Sequence, residues 1–551
     1  MKKILATIFS AALLLAAAGC DAYLDMTPTS SVSSKTIWET TESAEYSVNY
    51  IYTYIWDLNS APTVIGLTEA LTDEMKYTSY NYNAMCYIPS EMAYGSATLT
   101  NTYVDAYLGY WGTLYTAIRR TNEGLSYLES YGMMNDEDKT RLKAELCFLR
   151  GYFYFELVKR YKDVIIYKED LSEISKDKDI STEEEGWNLV QSDLDFAAAH
   201  LPERNAASGR IDKGMAYALL SRAMLYAQRY EAVIEAASEV EDLGYRLEED
   251  YADACSKPLA DGNDEAILQY GFDYSTGLTH SFNFYYTPGG DYTVIGSKGG
   301  GYGVPTQEIV ESYELATGGF PSWNTWHASS GTTQNPPYEL LEPRFQATIL
   351  YNGAPWKNRT IEPYVGGTDG WAVWKTEKEP KGKTVTGYYL RKLVDEDYDV
   401  STSAGAQPFT FLRYAEVLLN KAEACYFTSD FNGANAAVRA IRERVNLPYT
   451  DKSGSELFEA IRQERKVELA FEGLRYWDLR RWNLAVEDYP TGLCNYRQHG
   501  LKIEKTDTGF LYNYVEIDDY DRNYPARLQR FPMPESELSS NSKVKQYPEW
   551  K

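Results

Sequence analysis

From Arg141 to Tyr161 the chain reads RLKAELCFLRGYFYFELVKRY, with Leu142, Leu146, Leu149, Phe153 and Leu157 at successive steps of four, three, four and four. Such steps bring side chains onto one face of an α-helix, so the spacing predicts a helix with an unbroken apolar stripe. Tyr152, Tyr154 and Phe155 widen that stripe, which predicts burial on most sides.

Two later segments superpose at a shift of 201 residues: Tyr217, Leu220, Ser221, Met224, Tyr230, Val233, Ala237 and Val240 fall on Leu418, Lys421, Ala422, Cys425, Phe431, Ala434, Val438 and Ile441. Each reads as two helices joined at AQRYEA or TSDFNGA, with small residues where the helices cross and an aromatic plugging the turn. This spacing resembles the tetratricopeptide repeat, whose helix pairs stack into a curved support and bury their apolar faces only against neighbours. The predicted fold is therefore mainly α, one discontinuous tetratricopeptide-like scaffold and not a string of domains. Between the repeats, over 255–410, Pro, Gly, Thr and Tyr dominate, and the strand signals (AILQYGF, YYLRKLV) are short. That texture predicts an inserted loop-rich region with small β-hairpins, and loops on a rigid frame commonly carry binding chemistry.

The N-terminus has a pattern of its own. MKKILATIFSAALLLAAAGC sets two lysines before an apolar run and small residues before Cys20, which predicts a secretory signal peptide over 1–19. Ala-Gly-Cys resembles a bacterial lipobox, making Cys20 the expected lipid attachment site; ordinary secretion with a free Cys20 is the plainer alternative. Acyl chains add about 0.8 kcal/mol of membrane affinity per buried CH₂. Residues 20–36 then read as a lipidated polar tether, 37–250 as an N-terminal helical region, and 251–551 as a second region. The second region divides into loop-rich 255–410, C-terminal helices 411–485 and an irregular end.

Charge and composition narrow the chemistry. The formal charge is −26, or −28 without the two lysines of the signal peptide, which argues against nucleic acid. The cysteines after Cys20 (Cys86, Cys147, Cys255, Cys425, Cys494) are scattered and odd in number, so they read as buried apolar residues. The four histidines, His200, His280, His327 and His499, form no HExxH or i,i+4 pair, and no metal or cofactor is expected. GSKGGGYG (Gly296–Gly303) has its lysine before the glycines and reads as a flexible turn, not a phosphate loop. DDYDRN (Asp518–Asn523) opens like a calcium loop but has Tyr524 where glycine must turn. No GxSxG elbow is present. Glycoside cleavage needs only two suitably spaced carboxylates, but nothing in the sequence singles out a pair, and no catalytic residue is assigned.

Binding has more support. Tyrosines number 49, against 30 for Trp plus Phe, and tyrosine offers a flat apolar face with a hydroxyl at its edge. Sugars present the complement, C–H patches ringed by hydroxyls. The candidate glycan-binding residues are the loop clusters: Tyr77, Tyr80, Asn81, Tyr82 and Tyr87; Tyr286, Asp291 and Tyr292; Trp323 and Trp326. The competing reading is that these rings fill the core.

In ELAFEGLRYWDLRRW (Glu468–Trp482), a helix would place Phe471, Arg475, Asp478 and Trp482 on one face, with Glu472–Arg475 and Asp478–Arg481 pairs at i,i+3. Locally paired charges interleaved with aromatics predict a structural seam, with Glu468, Phe471, Arg475, Trp477, Asp478 and Trp482 as its signature. The longer ERKVELAFEGLRYWDLRRW resembles the signature of the SusD/RagB family of outer-membrane lipoproteins from Bacteroidetes. GCDAYLDMTP, AELCFLRGYFYFELVKRY, FLRYAEVLLNKAEACYF, VPTQEIVESYE and the terminal FPMPESELSSNSKVKQYPEW fall in the family's order. The resemblance implies tetratricopeptide-like helices cradling a loop-rich part and anchoring on the outer face of the outer membrane. It also implies a TonB-dependent SusC-like barrel as partner, to which glycan is passed uncleaved. A peptide-binding member of the same family and a glycoside hydrolase are the alternatives.

Overall fold

The computed structural model describes residues 34–58, 67–77, 92–95, 100–168, 177–204, 209–297, 299–372, 382–402, 404–486 and 494–551. Several of its long helices start where the sequence supplies a cap. Thr40 Oγ1 accepts from the Ser43 amide to open α1 (Thr41–Asp57), and α2 spans Trp111–Tyr131. Asn135 caps α3 (Asp136–Tyr161), which has three acids in its first turn and Lys159 and Arg160 in its last, matching the helix dipole at both ends. A Thr182/Glu185 capping box opens α4 (Glu183–His200). The series continues with α5 (Lys213–Tyr226), α6 (Tyr230–Asp242), α7 (Tyr414–Phe427), α8 (Phe431–Arg444), α9 (Gly454–Glu468) and α10 (Arg475–Arg481). From Leu142 onward α3 is buried on nearly every side, as its widened stripe predicts.

The fold is mainly helical and tetratricopeptide-like. Each helix from α2 to α8 packs on its successor, and α6 packs on α7 although some 170 residues separate them. The two segments matched in sequence are thus neighbours in space. Their turns share a conformation: Gln228 and Ser429, equivalent under the shift, both adopt positive φ, 57° and 66°. Tyr230 of the first pair stacks on Phe427 of the second, with centroids 4.7 Å apart.

Three small antiparallel sheets matter here. β1 (Met75–Tyr77), β2 (Ala266–Tyr270), β3 (Gly303–Pro305), β4 (Phe409–Arg413), β5 (His499–Thr506) and β6 (Gly509–Glu516) pair as β1–β3, β2–β4 and β5–β6. The β5–β6 hairpin corrects the expectation of an irregular end. Leu501, Ile503 and Tyr512 alternate inward to fill a second, loop-region core, and this period-two signal lay among polar residues. A second correction concerns GSKGGGYG. Gly299 to Gly301 are buried where three backbone segments cross. A Cβ on Gly300 would stand 2.0 Å from the Thr287 carbonyl oxygen, and one on Gly289 would stand 2.1 Å from that of Gly382. The glycines permit close backbone approach; they are not a flexible turn.

The signature segment joins the two cores. Val467, Ala470 and Phe471 enter the loop-region core, whereas Leu469, Leu474, Tyr476, Trp477 and Leu479 enter the helical one. Glu468 is buried and accepts from Arg344, Arg413 and Arg444 at 3.0, 2.7 and 2.5 Å. Although burial pushes the other way, these three guanidiniums hold its carboxyl well below the usual range. The segment is largely buried, yet it is not one helix. It breaks after Glu468, with Phe471 at φ 63° and Gly473 at φ 76°. Phe471 and Arg475 therefore do not share a helical face. Glu472 pairs with Arg413 and Lys392 at 2.6 Å each, and Arg475 with Asp73 at 2.9 Å. Only the expected Asp478–Arg481 pair forms, at 2.8 Å. Cys147, Cys255, Cys425 and Cys494 are buried.

Candidate functional site

The loop tyrosines and tryptophans singled out by sequence divide in two. Tyr80, Asn81, Tyr82 and Tyr87 lie outside the described residues, as does Cys20. The others are in the core: Tyr77, Tyr286, Tyr292, Trp323 and Trp326 are between 1 and 6 % exposed. Tyr77 ends β1 with its hydroxyl 2.8 Å from that of Tyr286, whose ring lies 4.4 Å from Phe282. Tyr292 packs edge-on to Phe284, and Trp323 edge-on to Trp326 at 5.4 Å. Asp291 accepts from Arg359 Nε and Trp356 Nε1 at 2.9 and 3.0 Å, with Lys357 Nζ 3.2 Å away. A saccharide needs a free ring face or a free hydrogen-bonding group. These residues are closed off from solvent in the interior, so their assignment as glycan contacts is corrected. They form a foundation whose half-buried upper rings are Phe284 and Tyr285, 5.2 Å apart.

Rings that stand open occur elsewhere, in a groove of about 770 Å³ between α1, α2 and the short helix Ser34–Trp38. The local sequence explains it. On α1, Ala44, Val48, Ile51 and Ile55 form the buried stripe that packs on α2 and α3. Tyr46, Tyr50 and Tyr54 recur at i, i+4 and i+8 on another face, leaving Tyr46 69 % and Tyr50 56 % exposed. Tyr127 of α2 lines the opposite wall, its ring 5.9 Å from that of Tyr131. Trp38 forms the floor and fits because α2 carries glycine beneath it; a Cβ on Gly124 would stand 3.0 Å from the indole.

Polar groups alternate with these rings. Ser43, Ser47, Arg120 and Glu123 line the same groove. Glu123 accepts from Arg119 Nε at 2.8 Å and Arg120 Nη1 at 3.3 Å, and both arginines are largely exposed. Exposed tyrosine faces flanked by donors and acceptors suit a neutral ligand with apolar patches and hydroxyls. Attention to loop clusters missed this groove; tyrosines four apart on an amphipathic helix are the sequence signal that finds it.

Part of the charge is internal. Asp518 of the calcium-like stretch is buried between Lys76 at 2.6 Å and Arg522 at 2.9 Å. Among the described residues, no group of three or more His, Cys, Asp or Glu side chains is arranged to hold a metal ion, and no helix is long and apolar enough to cross a membrane.

This scaffold has known counterparts. Residues 264–550 match the model of the SusD family, and residues 22–225 match a model described as starch-binding and associating with outer membrane. The first match alone spans more than half of the chain, and the chain belongs to the SusD family. A SusD-like protein of Bacteroides ovatus is 23 % identical over 588 residues, covering 100 % of this chain and 98 % of its own. One from Formosa agariphila is 26 % identical over 406 residues, covering 70 % of this chain and 73 % of its own. Among solved structures, a SusD-like protein from Bacteroides fragilis superposes with a TM-score of 0.78 at 28 % identity, over 95 % of this chain and 100 % of its own. A SusD-like carbohydrate-binding protein from the same species gives 0.75 at 22 % identity, over 93 % and 100 %. A laminarin-binding SusD-like protein gives 0.64 at 22 % identity, over 93 % and 99 %. The last two likenesses establish a shared fold.

Proposed function

We propose that this chain captures glycan at the cell surface and passes it, uncleaved, to a SusC-like TonB-dependent transporter, with Cys20 carrying the lipid that holds it to the outer membrane. The observation that carries the glycan reading is the open groove in which Tyr46, Tyr50 and Tyr127 alternate with Ser43, Ser47, Arg120 and Glu123. Family membership supports it, as do the match to a starch-binding family model and the likeness to carbohydrate- and laminarin-binding SusD-like proteins. The lipobox-like Ala-Gly-Cys and the outer-membrane association named for the family support the location. The half-buried pair Phe284 and Tyr285 offers a second contact surface on the loop-rich side.

Ring stacking in an open groove gives weak binding, roughly millimolar to micromolar in Kd. Calorimetry against a panel of neutral oligosaccharides tests the reading. At least one is expected to bind, with Tyr46→Ala/Tyr50→Ala weakening it by about tenfold, equivalent to about 1.4 kcal/mol. Because both side chains are exposed, stability should change by no more than about 0.5 kcal/mol per site. Loss of binding in Phe284→Ala/Tyr285→Ala, with the groove variant unaffected, would move the site to the loop-rich side. Tight binding of a peptide and of no glycan would overturn the function. Reducing ends released from the bound glycan would overturn the non-catalytic part, and failure to co-purify with a TonB-dependent barrel would overturn the partner.

A further inference from the structure

Trp477 of α10 is surrounded by cations. Lys159 Nζ and the guanidiniums of Arg160 and Arg480 lie 4.5, 4.7 and 4.9 Å from its ring centroid. Among the described residues, a single carboxylate, Glu156, pairs with this trio; it meets Lys159 at 2.7 Å and also bonds Arg160. Arg480 is 7 % exposed and has no carboxylate partner among the described residues. Its Nη1 donates to the Lys159 carbonyl at 3.5 Å and its Nη2 to those of Leu528 and Gln529 at 2.9 and 3.2 Å, while its buried Nε has no acceptor among the described residues. Burial first, and then the Arg160 and Arg222 guanidiniums, outweigh Glu156 and push the Lys159 ammonium down to about 7.

A buried cation without a counter-charge is costly, and breaking such pairs typically destabilises by several kcal/mol. Elsewhere in this acidic chain buried arginines do have carboxylates: Arg465 pairs with Asp478 at 2.6 Å and Arg475 with Asp73 at 2.9 Å. The under-neutralised group also has space beside it. A cavity of about 300 Å³ opens on Lys159, Trp477 and Arg480, with Lys162 and Glu183 also lining it, 3.7 Å apart. That volume is at the lower end of the range for small-ligand sites.

We propose that this cavity binds an oxyanion, a carboxylate or sulfate group, with Arg480 and Lys159 as its principal partners. A guanidinium fork matches planar and tetrahedral oxyanions, and an ammonium adds a point charge. The group can belong to a free inorganic ion or to an acidic sugar, and the site stands independently of the glycan groove.

The test titrates the full chain with sodium sulfate, glucuronate and glucose at constant ionic strength, followed by calorimetry and melting temperature. Saturable one-site binding of sulfate or glucuronate, with none of glucose, is expected. Arg480→Gln and Lys159→Met should each weaken it at least tenfold, and Tyr46→Ala/Tyr50→Ala should leave it unchanged. Tighter glucuronate identifies an acidic sugar as the source, and tighter sulfate a free ion. If the wild-type chain binds neither anion in the millimolar range, the proposal fails whatever the variants do. It fails equally if both charge variants melt normally and bind with undiminished affinity.

Discussion

Glu69 is wholly buried, with Oε2 accepting from Thr68 Oγ1 at 3.0 Å and Oε1 without a side-chain partner among the described residues. Burial pushes its carboxyl up to about 7, against the hydrogen bonds from its own backbone, Thr68 and Gly473. Burial and the Glu69 charge raise Glu74 as well. A folded-state value above the ordinary 4.5 means that the native protein holds a proton the unfolded chain has released. This group's contribution to stability is therefore complete below pH 4.5 and is lost as pH rises through 7. Its size is on the order of 3 kcal/mol. Urea unfolding at pH 5 and pH 8 should show a smaller stability difference in Glu69→Gln than in the wild type; equal differences would show that Glu69 is hydrated. Asp73 acts with the opposite sign: despite its burial, Arg475 and Lys466 hold it well below the carboxylate range, so its contribution is lost only in acid. Glu69 lies in the stretch LTEALTDEMKY. Its burial comes from packing beneath the signature segment hundreds of residues away, which no local pattern encodes.

Among elements, the burial of the signature segment was legible but its geometry was not. Its paired charges and aromatics identify a seam. The partners it chooses are distant because a buried carboxylate needs several charge-assisted bonds, more than an i+3 neighbour supplies. Glu468→Ala would leave Arg344, Arg413 and Arg444 without a shared counter-charge, and should cost about 3–5 kcal/mol in urea unfolding. Trp477→Ala should cost a comparable amount, about 3–5 kcal/mol, for its buried ring. Trp482→Ala should cost less, because that ring is only half-buried, its Nε1 donating to Glu423 at 3.0 Å. Unchanged melting of Trp477→Ala would contradict the structural reading. The helix pairs were fully legible, since the 201-residue shift preserves both the crossing residues and the left-handed turn position at Gln228 and Ser429. The β5–β6 hairpin was not, because its inward residues are only every second one in a charged stretch.

Across the molecule, periodicity read the scaffold correctly because tetratricopeptide-like helices repeat the packing rule at each step. The binding surface followed no such rule. Composition drew attention to loop aromatics, but Tyr77, Tyr286, Trp323 and Trp326 proved to be the core that a loop-rich region needs when it has few long elements of its own, and Tyr292 is buried beside it. Rings on α1, where a second stripe of tyrosines faces away from the buried one, stayed open instead. The central claim is that a stiff helical frame presents these rings to saccharide. Its most direct measurement is tyrosine nitration with tetranitromethane, mapped by peptide mass spectrometry with and without a bound oligosaccharide. Tyr46 and Tyr50 should be modified readily in the free protein, Tyr286 and Tyr292 should not, and the sugar should protect Tyr46 and Tyr50. Equal modification of Tyr46 and Tyr50 at saturating sugar would contradict the account.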